Sequence, residues 1–245
     1  MDDKFLFPAD LMGKLQLKTE KIEANEGKLT WQPWVGDYYF NQDQNGRPKT
    51  LIIGESHYMD YKDWKNVEAT NKHFDPKFTR QVVSEIAIQR KLDDKRRARL
   101  FENFYLAFRD SENHTRGDFW HSLAFYNFIQ TPMLNPDKRP TRYHFEHAWN
   151  VFPKVVEQLQ AERVIFLGKS ALDVYRKIRN EKFSGDNLIY YTDVGKNQKG
   201  AKTLPNLNIN GAVQKINIYF IRHSSAFFEI KEWREYFNRE GLLGN

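Results

Sequence analysis

Three polar residues, far apart in the chain, follow apolar runs and carry side chains that could act on a small polar ring. Glu55 supplies a carboxylate, Asn127 a carboxamide and His223 an imidazole. Each lies where a run with strand character ends, and parallel strands of an open sheet direct their carboxyl ends into one crevice, where ligands bind. The three groups are therefore expected to line a site for a small, planar, polar ligand.

Each of these side chains suits a different step of the chemistry. A carboxylate at position 55 can orient water or stabilise a cationic sugar transition state electrostatically. The amide of Asn127 has a donor and an acceptor, so it can read a pyrimidine edge. His223 can donate to a carbonyl oxygen that gains negative charge as a base departs. Structural alternatives stay open: a carboxylate in a surface turn, an amide that caps a strand end, and a histidine bonded to a neighbouring loop.

Two further residues follow Glu55 directly and extend the candidate site. His57 and Tyr58 come immediately after the predicted strand and its glycine. Their rings either contact the bound ligand or pack the wall of the crevice. Both interpretations are kept at this point.

The residues after His223 are predicted to contact a nucleic acid. Ser224 and Ser225 offer hydroxyls that could bind a flanking phosphate. Phe227 and Phe228 come next, and an apolar wedge beside a flipping site can fill the gap that an extruded base leaves in the stack. One of the two phenylalanines is expected to pack instead in the first turn of the last helix.

The charge of the chain favours a polyanionic partner. The formal net charge is +6 and the sequence pI is about 9.2, which suits phosphate neutralisation and counterion release. Three lysines punctuate a glycine-bearing stretch that is predicted to be a loop: Lys196, Lys199 and Lys202. They are the expected DNA contacts of this loop, and a merely solvated loop is the alternative.

Composition excludes several classes of protein. The chain has 245 residues and no cysteine, which removes disulfides, thiolate zinc sites and cysteine-ligated iron–sulfur clusters. No run of eighteen apolar residues suggests a membrane span, and the first residues do not resemble a signal peptide. We expect a cytoplasmic protein.

The apolar pattern predicts alternating strands and helices. Strands are predicted over residues 50–54, 123–130, 163–168 and 216–221, with a short additional strand over 187–191. Helices are predicted as a pair within 79–109, from Thr141 as N-cap, over 170–179 and over 228–238. The helix after Thr141 carries an apolar stripe: Phe145, Trp149, Phe152, Val156 and Leu159. Residues 59–78 are interpreted as a long loop.

This alternation indicates one α/β layered domain with a mainly parallel sheet. The whole chain, residues 1–245, is assigned to that domain. Residues 1–49 are interpreted as a peripheral lead-in and residues 50–237 as the core.

Three motifs resemble those of the uracil-DNA glycosylase superfamily, over about residues 50–237. They are Gly54-Glu55-Ser56-His57-Tyr58, Phe125-Tyr126-Asn127-Phe128-Ile129 and His223-Ser224-Ser225-Ala226-Phe227. Glu55 matches the Gly-Glu opening of the thermophilic branch. Tyr58 matches the tyrosine with which the commonest uracil-specific branch excludes a 5-methyl group.

The resemblance implies a three-layer α/β/α sandwich around a central, mainly parallel four-stranded sheet. It also implies a monofunctional DNA glycosylase that removes uracil, or a modified or damaged base, from DNA without strand cleavage. Such an enzyme serves base excision and DNA repair, or phage defence if its substrate is a hypermodified base in foreign DNA. It would act as a monomer without metal or cofactor.

The resemblance also implies roles for individual residues. Glu55 and His223 are the expected catalytic residues. Base recognition is assigned to Asn127, Tyr58 and His57. The expected DNA contacts are Ser224, Ser225, Phe227, Lys196, Lys199 and Lys202.

The chain departs from the superfamily at identifiable positions. Ser56 stands where the commonest branch has a water-activating aspartate, and Ser224 replaces the usual proline. No cysteines are present to hold the cluster of the thermophilic branch. The long stretch 59–78 is expected to enlarge the pocket for a bulkier pyrimidine.

Two other classes of function compete with the glycosylase. Ser56, Asp193 and His223 occur in the chain order of an α/β-hydrolase triad, although Tyr58 stands where the nucleophile elbow needs glycine. The other alternative is a nucleic-acid-binding relative that keeps the fold without the catalysis.

Overall fold

A computed structural model describes residues 29–41, 48–59, 66–91, 95–109, 115–130, 133, 139–195, 198–209 and 211–243. The strands are β1 (Trp34–Val35), β2 (Thr50–Gly54), β3 (Ala124–Asn127), β4 (Arg163–Leu167), β5 (Ser184–Asp193), β6 (Lys199–Ile209), β7 (Ala212–Lys215) and β8 (Asn217–Ile221). The helices are α1 (Val67–His73), α2 (Phe78–Val82), α3 (Lys95–Phe108), α4 (Arg116–His121), α5 (Arg142–Leu159), α6 (Ser170–Lys182) and α7 (Ile230–Arg239). A π-helix over Val83–Ile88 continues α2 directly.

Within the described residues, eight strands form one sheet in the order β1-β3-β2-β4-β8-β6-β5, and β7 pairs with β6. The central strands β3, β2, β4 and β8 are parallel. The outer strands β1, β5, β6 and β7 are antiparallel to their neighbours. A mixed α/β fold with a mainly parallel centre is therefore confirmed, whereas the whole sheet is larger than the four strands predicted.

Helices cover both faces of the central strands. On β2, Leu51 and Ile53 belong to one buried apolar cluster and Ile52 belongs to the other. The first cluster contains the buried side chains of α5 and α6, and the second contains those of α2, α3, α4 and α7. Strands that are buried on both faces read as continuous apolar runs, which is why the pattern identified them. The predicted stripe of α5 is buried in full: Phe145, Trp149, Phe152, Val156 and Leu159.

Two segments predicted to be loops contain regular structure. The stretch 59–78 contains α1, while its residues 60–65 lie outside the described part. The prediction of a loop around the three lysines is wrong from Lys199 onward, because Lys199 begins the eleven-residue strand β6. Strand β5 has ten residues and is twice as long as the predicted 187–191. These strands form an antiparallel ribbon at the edge of the sheet next to β8.

Part of the predicted lead-in belongs to the core rather than to the periphery. Trp31 and Tyr39 are completely buried. Residues Trp34–Val35 form the edge strand β1, which pairs antiparallel with β3. Residues 1–28 and 42–47 lie outside the described part of the chain.

Among the residues that the structure describes, no helix is both long and apolar enough to cross a membrane.

Candidate active site

Asn127 lies over a glycine at the open end of the sheet. Strands β2 and β3 are parallel neighbours, and their last residues, Gly54 and Asn127, are direct partners in the register. A Cβ atom on Gly54 would come 2.2 Å from Asn127 Oδ1, so only glycine leaves room for this amide. Among the described residues the side-chain amide has no hydrogen-bond partner, while the main-chain oxygen of Asn127 accepts from Gln130 Nε2 at 2.5 Å. The amide therefore does not cap its own strand and is available to a ligand.

Gly54→Ala is expected to reduce activity by displacing this amide. The new methyl group would force Asn127 away, and misplacing a positioning group by about 1 Å can cost on the order of a hundredfold in rate. Gly117→Ala is the matched control, because the nearest atom to a Cβ there is Thr115 Oγ1 at 3.7 Å, an ordinary contact. Steady-state rates of base release from an oligonucleotide, the activity expected from the sequence resemblance, would measure the effect. Equal rates for the two variants would show that the position of the amide is unimportant.

The carboxylate of Glu55 is largely shielded from solvent and hydrogen-bonded at both oxygens. Its side chain is 9% exposed, so Glu55 is not a surface residue in a turn. The Tyr58 hydroxyl donates to Oε1 at 2.6 Å, and Arg139 Nη2 donates to Oε2 at 2.6 Å. Charge-assisted hydrogen bonds of this kind fix the orientation of a carboxylate. Burial and the Glu55 carboxylate raise the pKa of Tyr58 well above its ordinary value, so this hydroxyl stays a neutral donor.

His223 is held in the tautomer that a hydrogen-bond donor needs. Its Nδ1 accepts from the Ser225 main-chain N–H at 3.4 Å and lies 2.7 Å from Ser225 Oγ. We therefore assign the proton of the neutral ring to Nε2, which has no hydrogen-bond partner among the described residues. Burial lowers the pKa of His223, the charge of Glu55 opposes that shift, and Arg139 reinforces it. The ring is consequently neutral at neutral pH and keeps one N–H to donate.

The three predicted groups lie at the same edge of the sheet. Glu55 follows β2, Asn127 ends β3, and His223 follows β8 after Arg222. Because these strands are parallel, their carboxyl ends open on the same side. The electrostatic influence of Glu55 on His223 supports this convergence.

His57, a predicted site residue, has structural partners instead of an open position. It is 3% exposed, and its Nε2 lies 2.8 Å from Thr79 Oγ1. Its ring makes edge contacts with Trp31 and Phe78, each at 4.7 Å between centroids, so His57 packs the wall of the crevice.

The predicted phosphate contact of Ser224 is corrected as well. Its side chain is completely buried, and its Oγ donates to the main-chain oxygen of Leu100 at 2.7 Å. This hydroxyl anchors the loop on α3 and is not presented to an anion. The hydroxyl of Ser225 lies against His223 instead and orients that ring.

Phe227 and Phe228 divide between surface and core as expected. Phe228 is 8% exposed and stacks on Trp233 at 5.3 Å between centroids. Phe227 is 81% exposed, and its φ of 49° lies in the left-handed region, which is rare for a bulky residue. Gln198 Nε2 donates to the main-chain oxygen of Phe227 at 3.1 Å and holds this conformation. Strained residues that the surrounding structure holds in place cluster at functional sites.

The three predicted lysine contacts have different outcomes. Lys196 lies outside the described residues. The side chain of Lys199 is 61% exposed, with its Nζ 3.7 Å from Asp193 Oδ1. Lys202 is directed at internal partners, because its Nζ lies 3.9 Å from Glu240 Oε2 and 5.1 Å from the centre of the Tyr219 ring. Of the two described lysines, Lys199 is the better placed for a ligand.

Sequence reasoning missed Arg139 as a member of the site. Arg139 is 84 residues from Glu55 along the chain, and its side chain is 59% exposed. The one signal in the sequence is its place directly before Pro140 and Thr141, and Thr141 is the N-cap of α5. That signal indicates a loop residue at a helix entrance and says nothing of a carboxylate partner.

The hydrolase triad is not assembled. Ser56 Oγ donates to the main-chain oxygen of His57 at 3.2 Å. The Asp193 side chain is 82% exposed and lies against Lys199. The imidazole Nδ1 that would face such an aspartate is bonded to Ser225.

The described residues contain no group of three or more His, Asp or Glu side chains arranged to hold a metal ion.

The sequence of this chain matches no model of a protein family and no curated protein.

Proposed function

We propose that this protein is a monofunctional DNA glycosylase that hydrolyses the N-glycosidic bond of a flipped-out uracil or modified base. The observation that carries the proposal is the placement of Glu55, Asn127 and His223 at one edge of the parallel strands. Three features match the needs of base removal: an Asn127 amide with no partner among the described residues, a neutral donor on His223 and a Glu55 carboxylate whose side chain is only 9% exposed.

The base enters the crevice after the nucleotide swings out of the stack, and unstacking is least costly at a damaged or mispaired base. Asn127 donates to and accepts from the edge of the extruded base. Tyr58, whose hydroxyl donates to Glu55, forms part of the pocket wall that discriminates between bases. Phe227 fills the gap that the nucleotide leaves in the stack.

Bond cleavage places positive charge on the sugar and negative charge on the base. The electron pair of the C1′–N bond goes to the base, whose oxygen accepts a hydrogen bond from His223 Nε2–H. The Glu55 carboxylate faces the oxocarbenium-like sugar and orients the attacking water. The water oxygen bonds to C1′, and a proton from that water ends on the released base. The strand stays intact, because no amine attacks the sugar.

The fold is proposed to be that of the uracil-DNA glycosylase superfamily. The order β3-β2-β4-β8 of the parallel strands and the helices on both faces support a three-layer α/β/α sandwich. The antiparallel ribbon β5-β6-β7 is an addition beside that centre.

A panel of oligonucleotides tests the function. Duplex and single-stranded substrates carrying uracil, hypoxanthine or a modified cytosine are incubated with the protein, and alkali-labile abasic sites are then measured. We expect release by the wild type and loss of release in Asn127→Ala, because the base edge loses its donor and acceptor. Asn238→Ala, at an exposed position of α7, is the matched control.

The same panel separates the competing functions. Salt-sensitive binding of DNA without any abasic product would identify a binding protein and contradict the glycosylase. Hydrolysis of an activated ester that Ser56→Ala abolishes would identify a hydrolase.

A further inference from the structure

Three cationic residues come together at the ends of neighbouring strands beside His223. Leu167 and Ile221 are partners in the parallel pairing of β4 with β8, and the Gly168 N–H donates to the Ile221 oxygen at 3.1 Å. Lys169 and Arg222 therefore leave the sheet side by side.

Lys199 approaches the same place from the antiparallel neighbour. Ala201 of β6 is the partner of Phe220 on β8. Continuing this register by two residues places Lys199 opposite Arg222. The ammonium group of Lys169 donates to the main-chain oxygen of Lys199, so the two lysines are in contact.

The positive charges of this cluster, which consists of Lys169, Lys199 and Arg222, exceed the negative charges of the carboxylates paired beside it. Two carboxylates of this region are already paired, Asp173 with Arg176 at 2.8 Å and Asp193 with Lys199 at 3.7 Å. Within the described part of the chain, neither Lys169 nor Arg222 forms an ion pair. Burial and the charges of Arg222, Arg176 and Lys199 lower the pKa of Lys169, which is the response of an ammonium group among like charges. A bound anion would relieve this repulsion.

The cluster adjoins the candidate catalytic loop. A Cβ on Gly168, whose φ is +139°, would come 3.9 Å from His223 Cδ2, so the end of β4 lies against the imidazole. Arg222 Nε donates to the Ala226 oxygen at 3.1 Å, and its guanidinium lies 5.2 Å from the centre of the Phe227 ring. Both terminal amino groups of Arg222 are without a hydrogen-bond partner among the described residues. They remain available as a fork for an oxyanion.

We propose that Lys169, Lys199 and Arg222 form a binding site for a nucleic-acid phosphate adjacent to the nucleotide that enters the crevice. The inference rests on the proposed function and adds to it the part of the DNA that this chain grips. Lysine and arginine contacts to phosphates hold the register of a protein on nucleic acid. The exposed Phe227 ring beside the site favours a nucleic acid over a free phosphate ion, because it offers a stacking surface for a base.

The salt dependence of binding tests this site without any catalysis. Lys169→Gln/Arg222→Gln is compared with Lys177→Gln/Lys215→Gln, which changes two exposed lysines on α6 and β7. Binding of a fluorescent, undamaged oligonucleotide is measured by anisotropy over a range of KCl concentrations. Removing two phosphate contacts is expected to make the slope of log K against log salt shallower by about 2. The control is expected to keep the wild-type slope.

Further measurements keep the outcome unambiguous. The single variants Lys169→Gln and Arg222→Gln are measured as well, and circular dichroism checks that each variant folds. An unchanged slope and affinity in the double and single variants would overturn the site. Displacement of the oligonucleotide by millimolar inorganic phosphate, at matched ionic strength, would assign the site to the free ion and overturn the nucleic-acid proposal.

The site and the glycosylase can fail separately. If the wild type shows the steep slope, the double variant loses it and no base is released, the phosphate site stands and the glycosylase is overturned. If the wild type releases a base and the slope is the same in every variant, the glycosylase stands and the phosphate site is overturned.

Discussion

His223→Ala is expected to lower the rate of base release by about 10²–10³-fold. That is the usual consequence of removing one donor from the position where negative charge develops in a transition state. The imidazole Nε2–H is the group lost, because Nδ1 is committed to Ser225. His223→Gln retains an N–H donor and is expected to recover part of the rate. Single-turnover kinetics on an oligonucleotide substrate would measure both variants.

The pH dependence of the wild type supplies an independent reading of the same group. The folded pKa of His223 lies below its ordinary value of 6.5, and protonation would remove the Nδ1 acceptor to which the Ser225 main-chain N–H donates and so disturb the orientation of the ring. Activity should therefore be lost as the pH falls through that lowered pKa, and His223 should impose no change between about pH 6.5 and 8.

His147→Ala is the matched control for His223→Ala, since it removes a histidine from α5 that has no place in the proposed mechanism. Rates for His223→Ala within twofold of the wild type would contradict the assigned role. So would an acid limb of the profile with its midpoint above pH 6.5.

Glu55→Gln is expected to lower the rate by about 10²–10⁴-fold while the protein stays folded, the range typical of a lost acid–base or charge contribution. The amide keeps the shape of the carboxylate but removes the negative charge that faces the sugar. It also removes the influence that raises the pKa of His223, so the acid limb should move to lower pH. Arg139→Met should move that limb to higher pH, because the guanidinium lowers the same pKa.

Glu146→Gln is the control for the charge change, because Glu146 pairs with Arg142 at 2.5 Å on the surface of α5. Exposed ion pairs of this kind contribute little, so this variant should retain the wild-type rate and profile. Acid limbs that move in the same direction in Glu55→Gln and Arg139→Met would exclude the electrostatic coupling described above.

The elements that carry the site could be predicted because their strands are buried on both faces. Residues 50–54 and 163–167 form continuous apolar runs, and each ends at the crevice. The first run placed Glu55 correctly just after a strand end, whereas the predicted strand 123–130 extends three residues beyond Asn127, where β3 ends. The direction of the His57 side chain could not be predicted. Strand β2 ends at Gly54, and beyond it side chains no longer alternate between the two faces of the sheet.

The long strand β6 was missed because its sequence contains the residues typical of loops. It contains Gly200 and Pro205, and lysines occupy two of its positions, 199 and 202. In the structure, alternate residues are buried along much of the strand, at Ala201, Thr203, Pro205, Leu207 and Ile209. The alternation of these residues with polar ones was a weaker signal for a strand. The contact between Arg139 and Glu55 could not be predicted, since nothing local links residues 84 positions apart.

The left-handed conformation of Phe227 also has a consequence for engineering. A glycine would adopt that conformation without strain, and an exposed ring contributes little to the free energy of unfolding. Selection for heat resistance alone would therefore favour glycine here and remove the ring that we propose contacts the nucleic acid. A more durable protein is better sought by changes in β7, which supplies no residue to either proposed site, so that thermal tolerance and function do not depend on the same side chain.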